Sequence, residues 1–183
     1  MNKKLVVTLL SACLPCTALA HTLTIGEPLP HITIADKGEI TLNNDTIAYQ
    51  AWDSTELTGK TRVIQAIAGR SAAKAMNAEL MAAITAAQFP ADKYQTTTII
   101  NQDDAIWGTG SFVKSSAEDS KREFSWSSMV LDANGVAQST WDLAKENSAI
   151  IILDKTGTVR FVQEGKLSPA DMQQALQIVK ENL

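Results

Sequence analysis

The chain has two cysteines, Cys13 and Cys16, and both lie in its first twenty residues. Residues 21–183 therefore carry no thiol, and whatever they fold into must be held by a hydrophobic core and not by disulfides. The first segment reads as an export signal. Lys3 and Lys4 form a basic head, and Leu5 to Leu14 is apolar but shorter than the roughly 20 residues that span a bilayer. Ala18-Leu19-Ala20 places small residues where a signal peptidase reads, so cleavage after Ala20 is expected. The product is then a periplasmic protein with no transmembrane segment. Cys13-Leu14-Pro15-Cys16 matches the C-x-x-C spacing but lacks the strand-to-helix setting that a redox pair requires. Leu10-Ser11-Ala12-Cys13 resembles a lipoprotein signal, which leaves acylation of Cys13 as an alternative. Against it, the residues after Cys13 stay apolar and form no polar tether.

Residues 21–183 have the length of one domain, large enough to bury most of the surface of the unfolded chain. Loss of Lys3 and Lys4 with the signal leaves 14 basic against 20 acidic residues, a net charge of −6. An acidic chain without a cluster of Lys/Arg and interleaved aromatics is a poor match for nucleic acid.

Periodicity and turn signals predict the order of elements. His31 to Ile34 and Glu39 to Leu42 alternate on either side of Asp36-Lys37-Gly38, which predicts a hairpin. Asp45 to Trp52 alternates again. Thr61 to Ala68 (TRVIQAIA) reads as an inner strand. Ser71 to about Phe89 is alanine-rich and helical, with Ser71 as its cap and Pro90 beyond its end. Tyr94 to Asn101 is β-rich, Gly108-Thr109-Gly110 opens a polar helix to about Phe124, and Ser127 to Leu131 is a strand. Asp132-Ala133-Asn134-Gly135 carries the Asn-Gly signature of a hairpin turn, and Val136 to Trp141 follows. Ala149 to Leu153 is an inner strand that turns at Asp154-Lys155-Thr156-Gly157 into Thr158 to Gln163. Ser168-Pro169-Ala170-Asp171 starts a final amphipathic helix. Together these give an α/β fold, a mixed central β-sheet with helices on both faces.

Several of these segments carry a resemblance. Gly26-Glu27-Pro28-Leu29-Pro30, Gly59-Lys60-Thr61-Arg62-Val63-Ile64 and the stretch from Leu153 to Ser168 resemble the opening, the site-leading strand and the closing hairpin and helix of exported thioredoxin-like proteins. AHTLTIGEPLP, IAGRSAAK, YQTTTIINQDDAI and AIIILDKTG narrow this to the YtfJ family of periplasmic thioredoxin-like proteins, whose biochemical function is not established. The resemblance implies a thioredoxin-like sandwich over residues 21–183. It also implies that the dithiol position reads Ser71-Ala72-Ala73-Lys74 and the usual cis-proline position reads Ser148. A hydroxyl cannot exchange disulfides, so a redox-inactive protein is expected.

Candidate sites follow from these positions. A helix N-terminus is partly positive, so Arg70 and Lys74 beside it are unfavourable by roughly 0.3–1 kcal/mol each at an exposed position. An anionic partner would reverse that sign. Arg70, Ser71 and Lys74, with Ser148 at the same edge, are therefore the candidate binding residues, for a small anionic ligand or a periplasmic partner protein. The alternative is a solvated basic turn. Ser71-x-x-Lys74 and Lys155-Thr156-Gly157 together match the S-x-x-K and K-T-G of penicillin-recognising enzymes, without their S-D-N element. Asp103-Asp104 at a strand end could hold Ca²⁺ or act as acid and base, but adjacent strand residues point to opposite sides. His21 would become the mature N-terminus, where amine and imidazole together suit Cu²⁺, with His31 the only other imidazole. A frayed terminus is the alternative there. Trp52, Trp107, Trp126 and Trp141 are expected mostly in the core, with Trp107 a possible contact beside Gly108.

The leading expectation is a binding or adaptor module without cofactor or metal. The alternatives are a non-redox enzyme, for which the sequence offers no obvious base, and copper binding through His21. Intact-mass measurement of the exported protein is expected to give a chain that begins at His21. A species that retains Cys13, with or without acyl chains, would overturn that processing.

Overall fold

The computed structural model describes residues 21–183; the signal, Cys13, Cys16 and the cleavage site after Ala20 lie outside the described residues. The inner strands form where apolar runs leave no polar face. β3 (Thr61–Ala68) and β6 (Ser148–Leu153) are buried at every residue, as strands covered on both faces must be. Around them lie β1 (Thr33–Asn43), β2 (Thr46–Asp53), β4 (Tyr94–Asn101), β5 (Ser128–Asp132) and β7 (Val159–Glu164). They build one seven-stranded sheet in the order β2-β1-β5-β4-β3-β6-β7. β3 runs parallel to β4 and β4 to β5, while the other pairs are antiparallel.

Among the described residues five α-helices cover the sheet: α1 (Ser71–Met76), α2 (Ala78–Ala87), α3 (Gly110–Glu123), α4 (Val136–Trp141) and α5 (Pro169–Glu181). On one face, Leu80 and Ile84 of α2 and Ala175 and Val179 of α5 pack on Val63, Ile150 and Ile152. On the same face, Ala73 of α1 and Ala117 of α3 pack with Ile67, Ile100 and Met129. On the other face, Ala137 and Trp141 of α4 join Leu23, Ile32 and Trp52 over Ile64, Ile99, Val130 and Ile151. The predicted start of α5 is found as drawn: Ser168 Oγ accepts from Asp171 N and Asp171 returns the bond to Ser168 N.

Several expectations are corrected. Asp36-Lys37-Gly38 is not a hairpin turn but a bulge inside one strand. Lys37 and Gly38 both have positive φ, and the β1–β2 register slips between Ile34 and Glu39. A Cβ on Gly38 would lie 2.1 Å from the Gln50 carbonyl oxygen, so only glycine closes that pair. The alanine-rich helix is broken into α1 and α2 at Asn77, and Ser71 is its first helical residue, with Arg70 at the cap position and no side-chain capping bond. Val136–Trp141 is a helix and not a returning strand. The Asp132 carboxylate accepts from Val136 N and Ala137 N, and Gly135 in the left-handed region turns the chain into α4. The start of the described chain is tied down: Thr22 N donates to Trp141 O, and Leu23 is buried. Of the tryptophans, Trp52 and Trp141 are in the core, but Trp107 and Trp126 are exposed.

Asn77 is buried and joins three elements. Its Nδ2 donates to Ser148 Oγ and Gly165 O, and its Oδ1 accepts from Leu167 N. Asn77→Ala leaves those groups without partners inside the protein. It is expected to cost about 2–3 kcal/mol, read as a lower urea midpoint at unchanged slope.

Asp154 organises the β6–β7 turn. Burial pushes its carboxyl up, but the bonds it accepts from Thr156, Arg160 and Thr158 outweigh that and hold it at about 2 instead of 3.8. The ionised form is thus favoured by folding. Its contribution is complete above about pH 4 and is lost as pH falls towards 2. Asp154→Asn is expected to be less stable by on the order of 2 kcal/mol at pH 7. The gap to the parent should close between pH 4 and pH 2; an equal gap at both ends of that range would refute the account.

Candidate functional site

The carboxyl ends of β3 and β4 lie where the sheet changes from parallel to antiparallel neighbours, the position at which open α/β sheets bind ligands. The chain leaves β3 through Gly69, whose N–H donates to Asn101 O at 2.7 Å. A Cβ there would meet that same oxygen at 2.8 Å, so a glycine is needed to bring α1 this close to β4.

Beyond Gly69, α1–α2 and α3 cover the same sheet face without filling the space between them. A cleft of about 970 Å³ remains. Its α2 wall consists of Ala78, Ala82 and Ala86 with Met81, and its α3 wall of Val113, Ser116, Ala117 and Ser120. These short side chains stand at helical spacing on facing sides, which is why the cleft stays open. Gln65, Thr96 and Thr98 supply a polar floor; Gln65 and Thr98 are direct partners in the β3–β4 register. Ile106, Phe112 and Trp126 line the rim, and all three are more than half exposed. Trp107, next in the chain to Ile106, is 98% exposed. Soluble proteins seldom leave such a group of large apolar side chains in water.

Arg70, Ser71 and Lys74 are brought together at one end of this cleft. Their charges are not equivalent. The Arg70 guanidinium contacts the carboxylates of Asp104, at 3.3 Å, and Glu146, at 3.1 Å, and its Nε donates to Asp104 O. Lys74 has no carboxylate within salt-bridge distance among the described residues. Its Nζ donates to Ser120 Oγ at 3.1 Å, from α1 across to α3. Ser148 lies at the same end of the sheet, paired with Ile67 near the end of β3, but it is 1% exposed, its hydroxyl accepts from Asn77, and it does not line the cleft.

Asp104 is the group that sequence reasoning undervalued. Its side chain is 9% exposed and accepts from Arg70, Gln138 and Glu146 N, while Asn101 Oδ1 accepts from Asp104 N. Asp103 is exposed, so the two carboxylates face different surroundings and do not act as a pair. No local pattern announces this network, since Asp104 is 34 residues from both Arg70 and Gln138. Gln65 was legible in principle as the one polar residue in the middle of TRVIQAIA.

Other motifs come apart in space. Lys155-Thr156-Gly157 is the β6–β7 turn, beside Leu153, which pairs with Arg62 at the start of β3; Ser71 follows its far end. Lys74 bonds Ser120 and not Ser71, so the S-x-x-K spacing makes no nucleophile–base pair. Among the described residues, neither imidazole nor carboxylate lines the cleft. His31 pairs with Asp53, whose carboxyl is held well below the usual range by hydrogen bonds from Thr55 and Thr33.

Three comparisons bear on this architecture. The model of a family described as bacterial protein of unknown function (YtfJ_HI0045) matches residues 23–182. The uncharacterized protein YtfJ of Escherichia coli (strain K12) is 44% identical over 183 residues, covering 100% of both chains. An uncharacterized protein of Haemophilus influenzae is 44% identical over 179 residues, 98% of this chain and 97% of that one. Among solved structures, the thioredoxin domain of a thiol-disulfide oxidoreductase from Bacteroides vulgatus has a TM-score of 0.54 at 14% identity, covering 86% of this chain and 98% of that one. A thiol-disulfide isomerase from Corynebacterium glutamicum has a TM-score of 0.52 at 15% identity, over 79% and 96%. At such identities the likeness shows the thioredoxin-like fold alone.

Proposed function

The chain belongs to the YtfJ_HI0045 family of bacterial proteins, and we propose that it is an exported, redox-inactive binding module whose seat is the cleft between α2 and α3. The observation that carries this reading is the cleft itself. At about 970 Å³ it stands at the upper end of the roughly 300–1,000 Å³ of ligand pockets, with apolar walls and a few polar groups on its floor and rim. The absence of cysteine from residues 21–183 supports the second half of the reading, because thiol–disulfide exchange requires a thiolate. The export signal supports the periplasmic setting. Arg70, Ser71 and Lys74 serve as the polar end of the seat. Arg70 is neutralised by Asp104 and Glu146, which leaves Lys74 as the cation that a ligand would meet.

The test uses 8-anilinonaphthalene-1-sulfonate, an apolar anion whose emission rises when it leaves water. The folded protein is expected to bind one dye saturably. Ala82 is exposed on the α2 wall, so Ala82→Phe fills the cleft without touching the core. It should weaken the dye by about tenfold or more at unchanged stability, because the apolar contact area is then taken by the protein itself. Equal dye binding by the parent and Ala82→Phe would remove the cleft as the seat. Insulin reduction by dithiothreitol should proceed at the uncatalysed rate with the protein present; acceleration would remove the redox-inactive reading.

A further inference from the structure

Gln65 lies at the centre of the sheet, on β3, and its side chain faces the cleft floor. It is 6% exposed, and among the described residues its amide makes no hydrogen bond. The amide opens onto the cleft, so an occupant that excludes solvent from the floor must supply the hydrogen bonds that solvent otherwise gives it. Isoleucine or valine would fit the pattern of TRVIQAIA, yet the strand carries a group that both donates and accepts where it faces the cleft. Beside it, across the β3–β4 register, stands Thr98, whose hydroxyl also has no partner among the described residues.

The charges of the lining add a second constraint. The protein carries more acidic than basic residues, yet among the described residues Arg70 and Lys74 are the only charged side chains on the cleft and no carboxylate lines it. An occupant therefore meets a cation at the end marked by Lys74, an unpaired amide and hydroxyl on the floor, and apolar walls of alanine, methionine and valine. A fatty acid supplies the anion and the apolar body but leaves Gln65 unpaired. A purely apolar molecule satisfies neither polar feature. An amide in the body of the ligand satisfies Gln65 in both directions.

We propose that the occupant is a short apolar peptide that carries a carboxylate, lying along the cleft with a backbone amide on Gln65 and Thr98 and its carboxylate at Lys74. Small apolar side chains would fill the space beside Ala78, Ala82 and Ala86, and the exposed Phe112 and Trp126 would close over them. This rests on the binding reading above and names its ligand class.

The test is calorimetric titration of the purified protein with three probes. They are the acetylated hexapeptide of alternating leucine and alanine with a free C-terminal carboxylate, the same peptide as its C-terminal amide, and hexadecanoate. The peptide acid is expected to bind one-to-one. The amide should be weaker by about tenfold, the worth of one charge-assisted hydrogen bond. Lys74→Gln should erase the difference between acid and amide. Gln65→Leu should weaken both peptides by a similar factor and leave hexadecanoate unchanged; Thr98→Val, on the same floor, serves if Gln65→Leu folds poorly. Acid and amide binding alike to the parent, or an acid preference that survives Lys74→Gln, overturns the proposal. Hexadecanoate binding that Ala82→Phe abolishes, with no binding of either peptide, overturns the peptide and keeps the cleft as a binding seat. Failure of all three probes together with cleft-independent dye binding overturns both readings.

Discussion

Everything in this fold hangs on β3 being buried on both faces while pairing in two directions. It runs parallel to β4 and antiparallel to β6, so it is the hinge line of the sheet, and each of its eight residues is out of water. Such a strand must be apolar or bonded. Arg62, buried at its start, satisfies this by donating to the carbonyls of Glu56 and Leu57 and to the Gln95 side chain, and burial lowers its affinity for the proton. Gln65 meets this differently, because its amide faces the cleft, where the sheet is left uncovered.

The cleft follows from side-chain size more than from any special backbone. α2 and α3 rest on the same face, but their facing sides carry alanine and serine where larger groups would have met. Asn77 fixes where α2 begins by tying the helix break to β6 and to the loop before α5. Gly69 fixes how closely α1 approaches β4. The Arg70–Asp104–Glu146 group then sets the charge at one end, leaving Lys74 to dominate the local potential.

How much of this could be read from the residues depends on how far each cause lies along the chain. The inner strands were legible because an apolar run of β-formers has one stable place, and Ser168 to Asp171 was legible because a capping box is complete within four residues. The Lys37–Gly38 bulge was misread because a Gly turn signal is the same whether the chain reverses or only bulges, and the partner at Gln50 decides which. Val136–Trp141 was misread because an Asn-Gly pair suggests a hairpin, while the Asp132 carboxylate, buried next to the strand end, caps a helix instead. The basic character of Arg70, Ser71 and Lys74 was visible, but the carboxylates that cancel Arg70 arrive from 34 residues away and more. The cleft had no local signature, since it exists only between two helices separated by β4.

The four indoles divide evenly between two environments. Trp52 and Trp141 are sealed among aliphatic side chains, whereas Trp107 and Trp126 stand in water, the latter edge-on to Phe124 at the rim of the cleft. Native emission is therefore the sum of a blue component that aqueous iodide cannot reach and a red one that it can. The chain carries its own optical label for the open side of the sheet, and the sealed pair supplies the internal reference against which it is read.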